Sequence, residues 1–91
     1  MSVLSYPLAG KVAVITGGRR GIGKTIALAF AEAGADVVVC DSVIDDGQLE
    51  GVAREMQKLG RHSLAIKTDV TQKPQIESMV RKVLDRFGVI D

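Results

Sequence analysis

Ninety-one residues suit one small domain or part of a larger one, and a hydrophobic share of 46% is ample for a core. A formal net charge of +1 with interspersed acids and bases excludes a dedicated nucleic-acid face, and an aromatic share of 3% excludes a base-stacking platform. The lone cysteine, Cys40, permits no internal disulfide and points to a reducing, cytoplasmic setting, while no apolar run approaches the roughly 18 residues of a membrane span.

Residues 1–10 lack the charged and apolar regions of a secretion signal and are expected to form a short lead-in. Lys11 to Thr16 (KVAVIT) is a compact β-branched run ending at glycines, which predicts a buried first strand. From Ile22 the pattern turns helical: Ile22, Ile26, Phe30 and Ala33 fall on one stripe, and Gly34 supplies the stop. Ala35 to Asp41 (ADVVVCD) predicts a second buried strand, and Ser42 to Asp46 a polar loop. Leu49, Val52, Ala53, Met56 and Leu59 then step at three and four residues until Gly60 ends that helix. His62 to Asp69 (HSLAIKTD) predicts a third strand. Thr71 is expected to cap a third helix that tolerates Pro74 in its first turn, with Ile76, Met79, Val80, Val83, Leu84 and Phe87 as its apolar face and Gly88 as its close. Val89 to Asp91 (VID) reads as the start of a fourth strand. The order β-α-β-α-β-α-(β) demands an α/β fold, a doubly wound parallel sheet with right-handed helical crossovers.

The turn after the first strand carries the chemistry, and it satisfies two patterns. From Gly18 it reads G-x-x-x-x-G-K-T, a P-loop in which Lys24 would reach phosphates and Thr25 would hold Mg²⁺. From Gly17 it reads G-x-x-x-G-x-G, a dinucleotide turn. There Gly17 makes the tight turn, Gly21 lets the backbone approach a pyrophosphate, and Gly23 lets the helix pack closely. The phosphates would lie at the positive end of the helix. Asp41 favours the second reading, because it lies about 20 residues past Gly21 at the tip of the very next strand, where such folds place the ribose-binding acid. The metal acid of a P-loop belongs to a later strand; the P-loop stays as the rival from another enzyme class.

The motifs TGGRRGIG (Thr16 to Gly23), VVVCD (Val37 to Asp41), TDVT (Thr68 to Thr71) and FGVID (Phe87 to Asp91), in this order and at these intervals, resemble the N-terminal part of a short-chain dehydrogenase/reductase, from about Leu8 to Asp91. The resemblance implies a Rossmann-type sheet in which residues 11–91 form part of an NAD(P)-binding domain. It implies that Gly17, Gly21, Ile22 and Gly23 line the diphosphate, with the Ile22 N–H near the nicotinamide half. It also implies that Asp41 accepts hydrogen bonds from the adenosine ribose hydroxyls, and that Asp69 meets the adenine amino group with Val70 alongside. A carboxylate at Asp41 would repel a 2′-phosphate, which favours NAD; Arg20, just before the middle glycine, is a position where a basic residue often accompanies NADP. The orientation of Arg19 is open.

The same resemblance implies hydride transfer between the dinucleotide and a small carbonyl or alcohol substrate, by a homo-oligomer when complete, with no metal, nucleic acid or membrane partner. That chemistry rests on a Tyr-x-x-x-Lys pair and a serine. The one tyrosine, Tyr6, is followed four residues later by Gly10, so no catalytic residue is assigned within these 91 residues, and a non-catalytic nucleotide-binding remnant is the alternative. His62 stands alone and reads as a solvated strand start, Cys40 as a buried inert thiol, and Met56 and Met79 as core.

Overall fold

The computed structural model describes residues 6–91; the first five residues of the lead-in lie outside the described residues. Three strands, β1 (Val12–Thr16), β2 (Asp36–Asp41) and β3 (Ser63–Lys67), alternate with three helices, α1 (Gly21–Glu32), α2 (Gln48–Lys58) and α3 (Lys73–Phe87). The sheet is parallel in the order β1-β2-β3, with Val14 opposite Val38 and Val38 opposite Leu64.

The middle strand has apolar residues on both faces, and its alternation divides the core in two. Val37 and Val39 pack with Ala27 and Ala31 of α1 and with Leu49, Val52, Ala53 and Met56 of α2. Val38 and Cys40 face the other way, against Val12 and against Met79 and Val83 of α3. The result is a three-layer sandwich of α1 and α2, sheet, and α3. Both methionines expected in the core are there, Met56 fully and Met79 nearly so.

Helix α1 corrects the expected stripe. Its buried residues are Ala27 and Ala31, whereas Ile22, Ile26 and Phe30 are 80%, 41% and 38% exposed. Gly23, Ala27 and Ala31 repeat every four residues, so a small-residue seam brings the helix axis close to the sheet. The larger side chains are thereby turned to the flank. Helix α3 corrects a cap. Its N-cap is Gln72, not Thr71, and Pro74 sits in the first turn, where a missing N–H removes no bond. Its expected face holds for Met79 and Val83, with Leu84 lying exposed on the margin. Leu59, expected in the α2 stripe, lies past the helix and is exposed.

Residues 89–91 adopt no strand, yet Asp91 already meets the outer edge of β1. Its N–H donates to the Val12 carbonyl at 2.9 Å, and its carboxylate accepts the Val12 N–H at 2.8 Å.

The lead-in is more than a connector. The Leu8 N–H donates to the Ala33 carbonyl at 2.8 Å, and Leu8 packs against the α1–α2 core. The Arg61 guanidinium lies 4.8 Å above the Tyr6 ring, while its Nε donates to the Ala31 carbonyl at 2.8 Å. One side chain therefore ties the lead-in, the end of α1 and the start of β3 together. Arg61→Ala is expected to lower unfolding stability by about 1–3 kcal/mol, from one charge-assisted bond to a helix-end carbonyl and one cation–π contact. Urea denaturation reads this directly; an unchanged midpoint would mean the clasp contributes nothing.

Candidate nucleotide site

All three strands point their carboxyl ends at one side of the sheet, so the β1–α1 turn, the tip of β2 and the β3–α3 loop converge there. A cavity of about 420 Å³ opens between them, lined by Thr16, Gly17, Asp41, Ser42, Thr68, Asp69, Val70 and Thr71.

The turn from β1 into α1 takes positive φ at Gly17 (66°) and Gly21 (64°), a region that strains any residue with a β-carbon. Open space lies where a side chain on Gly21 would project, leaving the backbone approachable. A β-carbon on Gly23 would overlap the Gly17 carbonyl oxygen, so this glycine brings the helix against the turn's own backbone. Gly18 is a fourth requirement, one that the dinucleotide spacing did not single out. Its N–H donates to the Cys40 carbonyl at 3.1 Å, and a β-carbon there would come within 2.8 Å of Val39. The signal was the second half of the Gly17-Gly18 pair. No acidic residue occupies the first turn of α1, so its amide ends meet no competing carboxylate of their own helix.

Asp41 sits at the tip of β2 with its side chain 16% exposed. Its Oδ1 accepts the Val43 N–H at 3.1 Å, and its Oδ2 faces Arg19 Nε at 3.8 Å. Asp69 organises the third loop. Its Oδ1 accepts both the N–H (2.9 Å) and the hydroxyl (2.6 Å) of Thr71, and its own N–H donates to the Gln75 side chain at 2.8 Å. The Thr71 hydroxyl, followed by its N–H, holds the Asp69 carboxyl below the usual carboxylate value. Thr71 thus serves Asp69 rather than the helix end. Val70 is 55% exposed at the rim.

Gly17, Asp41, Asp69 and Val70 therefore share one cavity, with Gly21, Ile22 and Gly23 at the adjoining helix start. Arg20 is the exposed N-cap of α1. The cation that reaches the β2 tip is Arg19, whose Nη1 donates to Asp46 Oδ2 at 2.6 Å. The two side chains a P-loop would use turn elsewhere: Lys24 Nζ lies 3.9 Å from Glu55 of α2, and the Thr25 hydroxyl donates back to the Gly21 carbonyl at 3.1 Å. Cys40 is fully buried, and burial pushes its thiol up, opposed by a hydrogen bond with Thr68.

Residues 11–91 match the family model described as short chain dehydrogenase. A hydroxynaphthalene reductase-like protein of Metarhizium acridum is 44% identical over 84 residues, which is 92% of this chain and 31% of that protein. A short-chain type dehydrogenase/reductase from Mycobacterium marinum superposes with a TM-score of 0.86 at 46% identity, over 100% of this chain and 36% of that one. A short chain dehydrogenase/reductase from Burkholderia phymatum in complex with NAD gives a TM-score of 0.83 at 31% identity, over 91% of this chain and 29% of that one. The chain thus spans about a third of the length of the curated relatives it matches.

Two expectations follow. Gly23→Ala should destabilise the chain by about 1–3 kcal/mol, because backbone must move to admit one methyl group; a thermal melt like that of the parent would contradict the close approach. A group whose folded value is depressed contributes stability above its unfolded value, near 3.8, and loses it as the pH falls through the lower folded value. Asp69 should therefore titrate below 3.8 in a carboxyl-carbon NMR titration, and Thr71→Val should move the midpoint back towards 3.8. An unmoved midpoint would assign the depression to another partner.

Proposed function

The chain belongs to the short-chain dehydrogenase/reductase family, and from that membership we propose that it carries the adenosine-binding half of an NAD(P)-dependent oxidoreductase acting on a carbonyl or alcohol substrate. The convergence of Gly17, Asp41, Asp69 and the start of α1 on one side of the sheet is the observation that carries this reading.

The donor set fits a dinucleotide. The helix-start amides at Gly21, Ile22 and Gly23 suit a diphosphate, since they offer N–H groups that have no intrahelical acceptor. Asp41 Oδ2 is not consumed by any hydrogen bond among the described residues and can accept from ribose hydroxyls. Asp69 commits Oδ1 to Thr71, which orients the carboxylate and leaves Oδ2 for an amino group such as that of adenine. Val70 supplies an apolar edge beside it. A dinucleotide held there would supply or accept the hydride. In this reading the acid–base tyrosine, its lysine and the serine come from outside these 91 residues, which contain no Tyr-x-x-x-Lys. A carboxylate at Asp41 favours NAD, and the NAD complex of the Burkholderia phymatum relative is in keeping with that.

Calorimetric titration with NAD and NADP tests the proposal. NAD is expected to bind more tightly, and Asp41→Ala should raise the NADP:NAD affinity ratio by about tenfold by removing a like charge from the 2′ position. Lys24→Ala should leave NAD binding unchanged. Mg²⁺-dependent ATP binding that vanishes in Lys24→Ala, without NAD binding in the parent, would overturn the reading in favour of a P-loop.

A further inference from the structure

Strand β3 pairs with β2 alone, so its other side is an edge among the described residues. The Thr68 N–H donates to the Asp41 carbonyl at 2.8 Å, and strand alternation therefore turns the backbone groups of Ser63, Ala65 and Lys67 outward. One of these is already engaged: Gln57 Nε2 of α2 donates to the Ser63 carbonyl at 3.1 Å. The N–H and carbonyl groups of Ala65 and Lys67 have no partner among the described residues. Such a row of groups is a template for one more strand.

A groove flanks this edge on each face of the sheet. On the α2 side a cavity of about 270 Å³ takes its wall from Glu50, Arg54 and Gln57 together with Ser63 and Ala65. Ser63 is 5% exposed, and its hydroxyl is buried without a hydrogen-bond partner. A hydroxyl in that state leaves a bond to be made. On the α3 side a cavity of about 420 Å³ takes its wall from Ile66 and Lys67 and from Gln75, Ser78 and Lys82. A strand laid along the edge would send alternate side chains into the two grooves. Neither Lys67 nor Lys82 has a carboxylate of the described residues within ion-pair range.

These charges choose the occupant. A second copy pairing edge to edge would add its own Lys67 and Lys82 to a stretch that calls for an acid, and a lysine on an edge strand opposes self-pairing. We propose that the outer edge of β3 binds an extended, acidic segment of a partner protein as an added strand, with carboxylates at Lys67 and Lys82 and small polar side chains in the groove beside Ser63. This goes beyond the dinucleotide reading and does not rest on it, since neither the edge residues nor Lys82 line the nucleotide cavity.

Fluorescence anisotropy on the full-length protein tests it with two labelled heptapeptides, one alternating threonine with glutamate and one alternating threonine with lysine. The glutamate peptide should bind about tenfold or more tighter than the lysine peptide. Replacing both cations, Lys67→Gln with Lys82→Gln, should weaken it by about tenfold. Ala65→Pro removes an outward N–H at a position where an edge strand tolerates proline, and should also weaken it by about tenfold. Methylating the backbone nitrogens of the glutamate peptide keeps every charge and should abolish binding to the parent. Binding that survives both Ala65→Pro and methylation would reduce the contact to charge attraction and overturn strand addition. Should Ala65→Pro fail to fold, the methylated peptide decides alone. Equal affinity for the two peptides would overturn the acidic partner, and no binding of either at about 1 mM would overturn the inference outright. A parent oligomer that Ala65→Pro breaks into smaller units would give the edge to a second copy and overturn it as well. NAD binding, followed in parallel, separates the two readings, because its loss would bear on the nucleotide site and leave the β3 edge untouched.

Discussion

The Gly17 carbonyl oxygen occupies the space a β-carbon on Gly23 would need, and the rest of the site follows from that approach. It forces the first turn of α1 down onto the turn leaving β1. The turn is pinned from its other side, where Gly18 lies against Val39 and donates to the Cys40 carbonyl. With the backbone wedged between helix and strand, the open amides of α1 are directed to the carboxyl end of the sheet. Arg19, carried on the same turn, is directed across to the tip of β2. A single substitution at Gly23 would displace the helix-start amides and Arg19 together.

The same approach explains how the core is divided. A helix this close to a sheet admits only small residues between them, so α1 contributes alanines to the core, and volume is supplied instead by Val37 and Val39 from below and by Leu49, Val52 and Met56 from α2. The large residues of α1 are left on its flank, where Phe30 lies beside the outer edge of β1. There the Asp91 carboxylate substitutes for a strand carbonyl in accepting the Val12 N–H. Backbone groups further along that edge, at Val14 and Thr16, point the same way by strand alternation.

Most of this was legible in the sequence, for reasons that differ by element. The strands were plain because each reads as an apolar block that ends at glycine or aspartate, most fully in β2, where Val37 to Cys40 are all buried. Helices α2 and α3 were plain because large apolar residues make up their buried stripes, Leu49, Val52 and Met56 in one and Met79 and Val83 in the other. Helix α1 misled on its face because periodicity scores size and hydrophobicity, whereas close packing selects for the absence of both. The cap at Thr71 misled for a related reason. A threonine ahead of a helix has two backbone-competent partners, and here a carboxylate two residues earlier takes its hydroxyl. At the carboxyl end of the sheet, spacing singled out Gly17, Gly21, Gly23 and Asp41, and the family resemblance singled out Asp69, because each is tied to a fixed place on the backbone. Arg19 and Asp46 were not separable from other charged residues, because a long side chain's destination depends on where two loops lie relative to each other in space.

That last distinction also separates the two nucleotide readings of one string. A P-loop and a dinucleotide turn both need glycines before a helix, so the glycines cannot discriminate between them. The residues after the glycines can, through what they do once the helix is formed. Lys24 falls on the side of α1 that faces α2 and meets Glu55, and Thr25 spends its hydroxyl on the helix backbone. A phosphate chain at this turn would find its positive field in the α1 amides. The opposing field comes from Asp41 and Asp69, both half-engaged by neighbouring N–H groups that hold them in place. A cavity lined by Asp41 and Asp69, with the first turn of α1 adjoining it, sets acceptors for hydroxyl and amino donors beside N–H groups that favour an anion.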